Sequence, residues 1–147
     1  MPDENTALVS RFFDEFCNGR KLETADEIFA PTHRYHDPSN PWVGPGPDGM
    51  KQLMAAYHHA FGDAHWAVNE TISAGDRVIT RWTARGTHSG VLPGLAPTRS
   101  IVEVMGIWIH QLENGRIVES WNVWDTLGMM HQLGILSSSQ VANPFLS

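Results

Sequence analysis

The side chains able to do chemistry in this chain are few, and histidines dominate them. Its 147 residues include eight His, sixteen Asp or Glu, ten Lys or Arg and one Cys. His110 lies in an apolar run, and imidazole titrates near neutral pH, so it suits acid–base work. It equally suits a histidine that only hydrogen-bonds near the open end of a hairpin. His36 and His88 each flank a predicted strand beside a Gly- or Pro-rich loop, where polar groups at a pocket mouth are often built. Both also read as ordinary loop histidines. Asp125 is the carboxylate nearest the end of the last strand, but it directly precedes a short helical run. There it reads as an N-cap, and catalysis from it would need a bulge in the strand before it.

Other reactive groups are in poor positions. His33, His36 and Asp37 have metal-ligand side chains, and His58 and His59 share a predicted helix. Adjacent helical residues point about 100° apart, so that pair cannot grip one ion, and no His-Glu-x-x-His pattern occurs. No metal is expected, and His33 and His36 would be the first ligands if one were found. Lys21 and Lys51 lie beside helical stripes rather than in apolar strands, where a desolvated amine becomes nucleophilic. Cys17 adjoins the Phe13/Phe16 stripe and reads as packing. A single cysteine leaves no internal disulfide and no multi-cysteine zinc site. The prolines of Gly44-Pro45-Gly46-Pro47-Asp48-Gly49 remove the N–H donors that a phosphate cradle needs.

Two apolar patterns must position these groups. Leu8, Phe12, Phe13 and Phe16 make one helical stripe, with Asn5 or Thr6 as N-cap and Gly19 as its stop. Leu22, Ala25, Ile28 and Phe29 make a second, ended by Pro31. Met50, Leu53, Met54, Tyr57 and Phe61 make a third, ended by Gly62. The segment from His36 to Pro47 reads as a loop, entered by a short strand at Arg34–His36. From His65 the period shortens to two, giving strands at 66–73, 77–87, 100–112 and 117–124, then a short helix at 126–133. Asn114-Gly115 is a hairpin turn; a three-residue loop there pairs Gly106 with Asn122 and Trp108 with Ser120, so that Trp108, His110, Asn122 and Trp124 share a face. Arg77, Arg81 and Arg85 alternate opposite Trp82 and Ala84, toward the outside of the sheet.

Helices followed by a meander of long strands read as an α+β domain, one unit over 1–147 with a core near 5–136 and a loose Ser-rich tail at 137–147. The strand at 100–112 is apolar on both faces, which implies that both are covered. Charged residues are only 18% of the chain, against about 25% for an average domain. Together these features lead to an expected homodimer through the outer sheet face. A formal charge of −6 gives no basic field for nucleic acid. No apolar run approaches the roughly 18 residues of a membrane span. Asp3, Glu4, Asp14 and Glu15 interrupt any export signal, so the expectation is a cytoplasmic protein with no membrane partner.

Several runs carry a resemblance to a known family. Arg81-Trp82-Thr83-Ala84-Arg85-Gly86-Thr87-His88-Ser89-Gly90, Pro97-Thr98, Glu113-Asn114-Gly115-Arg116-Ile117, the segment from Trp121 to Asp125, and Met130-His131-Gln132-Leu133-Gly134 resemble the SnoaL-like polyketide cyclases of the nuclear-transport-factor-2-like superfamily. The resemblance implies a cone-shaped α+β barrel: three N-terminal helices packed in a strongly curved, mostly antiparallel sheet. It also implies a dimer, a deep apolar cavity and no cofactor. Its cyclases close a ring by aldol condensation, with an Asp as acid–base and a His beside it. Counted from Gly115, those two positions hold Asn122 and Trp108. An amide has no proton to exchange near neutral pH, and an indole only donates.

Two functions follow. In one, a small polyketide- or terpenoid-like molecule enters the cone and undergoes acid–base cyclisation or isomerisation. His110, then His36 or His88, would move the proton, Asn122 would donate to a developing enolate oxygen, and Trp82, Trp108 and Trp124 would stack on the substrate. In the other, the same pocket only binds or carries its ligand.

Overall fold

A change of periodicity at His65 divides the fold. The elements run α1 (Glu4–Arg11), α2 (Thr24–Ile28), β1 (Phe29–His36), α3 (Gly46–Ala60), β2 (His65–Ala74), β3 (Arg77–Thr87), β4 (Ile101–Glu113), β5 (Arg116–Trp124) and α4 (Thr126–Gln132). This computed structural model describes residues 3–136, and the tail expected at 137–147 lies outside them. The strands form one curved, unclosed sheet in the order β1-β5-β4-β3-β2. Every pairing is antiparallel except that of β1 with β5. The α+β expectation holds. Among the described residues no helix is long and apolar enough to cross a membrane.

Local expectations change in the first half. The cap of α1 is Asp3, whose Oδ1 accepts from Thr6 N at 2.7 Å, rather than Asn5 or Thr6. The helix then widens into a π-helical stretch, Phe12–Asn18, which turns Phe12, Phe13, Phe16 and Cys17 inward together. Phe29 does not close the second helical stripe. It opens β1, where parallel pairing with Ile117 takes up its backbone, because five residues of helix are too few to hold out against a strand partner. Gly46 and Pro47 belong to α3 rather than to the loop, since proline in a first turn lacks only an N–H that would be unpaired anyway.

The β4–β5 hairpin decides which side chains face inward. Its turn has two residues, Asn114 (φ 51°) and Gly115 (φ 74°), both in the left-handed region that matches strand twist. Leu112 faces Ile117, the register then shifts, and Gln111 faces Glu119, leaving Val118 as the extra residue of a bulge. Beyond it Trp108 pairs with Asn122 and Gly106 with Trp124. The expected register was therefore two places out, because the turn is shorter and a bulge follows it. A two-place error preserves the face, so Trp108, His110, Asn122 and Trp124 still point together. Without the bulge Trp108 would face Trp121, and Asn122 would turn outward.

The helices pack their aromatic stripe into the concave face, where Phe12, Phe16, Phe29, Met50, Leu53, Val78, Trp108 and Ile117 are all buried. Among the described residues nothing covers the apolar convex face. Ile72, Ile79, Ile109 and Trp121 form a row across four strands, and Met105, Ile107 and Val123 beside it are exposed. Arg77 and Arg81 lie on this side as expected, whereas Arg85 is among the residues that line the cavity described below. Arg77 stands over the Trp121 ring at 5.4 Å, and Arg81 pairs with Glu70 at 3.5 Å.

Candidate functional site

Between the concave sheet and α3 lies a cavity of about 400 Å³. β2, β3, β4 and β5 each send one tryptophan into its wall (Trp66, Trp82, Trp108 and Trp124), and α3 contributes Met54 and Tyr57. Gly106 makes this arrangement possible. A Cβ there would lie 2.7 Å from Trp124 Cβ and 2.8 Å from Trp82 Cε2, so any side chain would force an indole into the cavity.

One corner of the cavity is polar, and it is organised by Asp37. The chain leaves β1 at His36 and turns the next carboxylate inward, only 6% exposed. Asp37 Oδ2 accepts from Tyr35 O–H at 2.6 Å, Asn40 Nδ2 at 2.9 Å and Trp124 Nε1 at 3.3 Å. Its Oδ1 accepts from Ser39 N at 2.8 Å, closing an Asx turn. Asn40 Nδ2 also donates to Tyr57 Oη at 2.9 Å. Burial, with Asp37 and Tyr57 beside it, pushes the Tyr35 phenol far above its ordinary pKa. Burial next to Asp37 pushes Tyr57 up too. Both phenols therefore stay neutral.

Asn122 joins this network from β5, donating from its Nδ2 to Tyr35 Oη at 3.2 Å. Tyr35 has one proton, and Asp37 takes it, so toward Asn122 the phenol oxygen can only accept. That fixes the sense of the amide, an assignment that rests on the hydrogen-bond network. The atom of Asn122 left without a partner is therefore the oxygen, not the N–H donor expected to face an enolate.

The other expected site residues scatter. His110 is fully buried behind Trp108, with the rings stacked at 5.1 Å, and it does not reach the cavity wall. Its Nδ1 shares Ser120 Oγ at 2.6 Å, and the same hydroxyl meets His33 Nε2 at 2.8 Å. Desolvation pushes His110 down to about 3 and His33 down to about 4, so the pair is neutral. His36 lies on the convex side, bonded to Glu119 at 2.6 Å and stacked on Trp121, because β1 ends with that residue turned outward. His88 is buried against Phe61. Thr98 N donates to its Nδ1 at 3.1 Å, which places its proton on Nε2. Trp82, Trp108, Trp124 and Asn122 are thus the expected residues that meet in the wall.

Asp125 is exposed and accepts from Gly128 N at 2.8 Å, the N-cap of α4. Asp125→Ala is expected to lower stability by about 1 kcal/mol in a thermal or urea melt and to leave ligand uptake unchanged. His33 turns inward and His36 outward. Among the described residues no group of three or more His, Cys, Asp or Glu could hold a metal ion. Cys17 is buried with its thiol pushed up by desolvation, and Lys51 pairs with Asp26 at 2.7 Å. Sequence reasoning noted Asp37 only as a possible ligand and passed over Tyr35 and Asn40. The available signal was an Asp-Pro turn directly after a strand, with Tyr and Asn two and three residues either side.

Comparison with known proteins agrees with this architecture. The family model described as SnoaL-like polyketide cyclase matches residues 7–133. No curated protein matches the chain. Among solved structures, a "putative polyketide cyclase" from Acidithiobacillus ferrooxidans superposes with TM-score 0.83 at 24% identity, covering 93% of this chain and 99% of that one. IdmH, a "putative polyketide cyclase" from Streptomyces antibioticus, gives 0.77 at 30% identity over 90% and 99%. AclR, a "putative hydroxylase" from Streptomyces galilaeus, gives 0.81 at 25% over 93% and 100%.

Proposed function

The chain belongs to the SnoaL-like polyketide cyclase family, and from that premise we propose that its cone takes up one small apolar molecule, polyketide- or terpenoid-like, and sets its oxygenated end against Asn122. The observation that carries this reading is an apolar cavity of about 400 Å³ whose wall holds a buried amide oxygen without a partner. A volume of that size suits a ligand of two or three fused rings. Tryptophan fluorescence tests it, because five indoles line the cavity, those of Trp42, Trp66, Trp82, Trp108 and Trp124. Titration with a naphthalene-sized compound is expected to quench saturably at one equivalent per chain. Gly106→Val, which pushes Trp82 inward, is expected to weaken binding at least about tenfold. Unaltered saturable quenching in that variant would place the ligand elsewhere.

One observation favours conversion of the ligand as well as binding. A carboxylate, Asp37, stands one phenol behind Asn122, so a proton-accepting group is close to the position where the family resemblance expects an Asp. Asn122→Asp would set two carboxylates on either side of the Tyr35 hydroxyl. Like charges so close raise the pKa of one of them, giving a group able to exchange a proton near neutral pH. Turnover of an enolisable aryl diketone is expected to rise in Asn122→Asp and to fall in Asp37→Asn. No change in either variant would leave binding alone as the function.

The open apolar face of the sheet supports a homodimer. Light scattering at low micromolar concentration is expected to give about twice 16.4 kDa, and a mass near the monomer value would reject it.

A further inference from the structure

Among the described residues, two that line the cavity hold a buried hydrogen-bonding atom with no partner: Trp82 Nε1, a donor, and Asn122 Oδ1, an acceptor. The second is the more informative, because its chemical sense is locked. An amide free to rotate presents either a donor or an acceptor, but Asn122 is 2% exposed and its Nδ2 is engaged by Tyr35. Tyr35 in turn cannot donate toward the amide, since its proton is committed to Asp37 at 2.6 Å. Three residues from two strands and a turn thus act in series to present one oxygen lone pair to the ligand.

We infer that the cavity selects a ligand carrying a hydroxyl donor, a phenol or an enol, and that Tyr35 and Asp37 are positioning residues that hold Asn122 Oδ1 toward it. This rests on the cone being the ligand site. An ether or carbonyl oxygen at the same point would face a lone pair. It would leave the amide oxygen desolvated and unpaired, a cost that discriminates by about tenfold or more. Trp82 Nε1 can donate to a hydroxyl and to an ether oxygen alike, whereas Asn122 Oδ1 can only accept, so the preference for a hydroxyl falls on the amide oxygen.

The experiment is a pair of fluorescence titrations at pH 7 with 2-naphthol and 2-methoxynaphthalene, read as a ratio of affinities. The natural chain is expected to bind the naphthol at least about tenfold more tightly. Asn122→Leu, which keeps the branched outline of the side chain and removes the acceptor, is expected to bind both with a ratio near one. Tyr35→Phe frees the amide to present its N–H₂, and the ratio is expected to collapse there too. A purely structural defect would weaken both ligands alike and leave the ratio intact. Equal affinities in the natural chain, or a preference that survives Asn122→Leu, would overturn the inference while leaving the cavity a binding site. Saturable binding of neither compound would overturn both.

Discussion

Asp37→Ala is expected to lower the unfolding free energy by roughly 3 kcal/mol or more, a large share of the stability of a domain this size. The carboxylate accepts four hydrogen bonds in an almost dry corner. Alanine takes this acceptor from the half-buried Tyr35 hydroxyl, Asn40 amide and Trp124 indole and from the exposed Ser39 N–H, and a donor left bare costs about 1–3 kcal/mol where water cannot reach it. Relaxation keeps the sum well below four full penalties, because the loop after β1 can open to water. A urea melt should show the midpoint fall at unchanged slope. Asp37→Asn should cost less, since one amide oxygen can still accept from two of the donors. The variant should also free the Tyr35 proton to turn toward Asn122, so hydroxyl preference and stability should be lost together. A loss within about 0.5 kcal/mol, the usual range of an inert surface change, would mean that Asp37 does not organise the corner.

Acid is expected to destabilise the protein well before its carboxylates titrate. His33 and His110 share the Ser120 hydroxyl in the core, and burial lowers them to about 4 and about 3. In the unfolded chain both return to about 6.5. Their folded values lie below the unfolded ones, so the unfolded chain binds more protons as pH falls. Stability is therefore complete above about pH 6.5 and is lost progressively down to the folded values. Between pH 7 and 5 the two should remove roughly 3 kcal/mol, allowing for their mutual repulsion. The half-buried His58, also lowered by desolvation, acts in the same direction. His110→Gln keeps a hydrogen-bonding group beside Ser120 and should flatten this slope by about one proton. An unfolding free energy that is level from pH 7 to 5 would contradict the buried neutral pair.

The parts of this fold that were legible in the sequence depend on neighbours along the chain. The shift from helical to alternating spacing at His65, the Asn114-Gly115 turn and the Asp125 cap are local, and each carries its own chemical signature. The tryptophans of the wall were legible because alternation puts Trp82, Trp108 and Trp124 on one face once β3, β4 and β5 pair. The bulge at Val118 was not, because nothing in Ile117-Val118-Glu119 marks the extra residue. Nor was β1, which owes its length to a parallel partner far along the chain.

The polar corner was hidden for the same reason. Asp37 meets Trp124, and Tyr35 meets Asn122, across 87 positions of sequence. His33 and Ser120 are separated by the same distance. The histidines drew attention because imidazole is versatile, yet three-dimensional packing sends His110 and His33 behind the wall and His36 outside it. A local sequence reading identifies which groups could react and cannot tell which of them converge.

The central claim is that the cone is a ligand site whose polar end is Asn122, and a crystal structure of the protein with 2-naphthol bound tests it most directly. The expected result is a naphthalene ring between Trp82, Trp108 and Trp124 with its hydroxyl within about 3 Å of Asn122 Oδ1. A naphthol seated on the convex face with the cone unfilled, or one inside the cone with its hydroxyl turned away from Asn122, would contradict it.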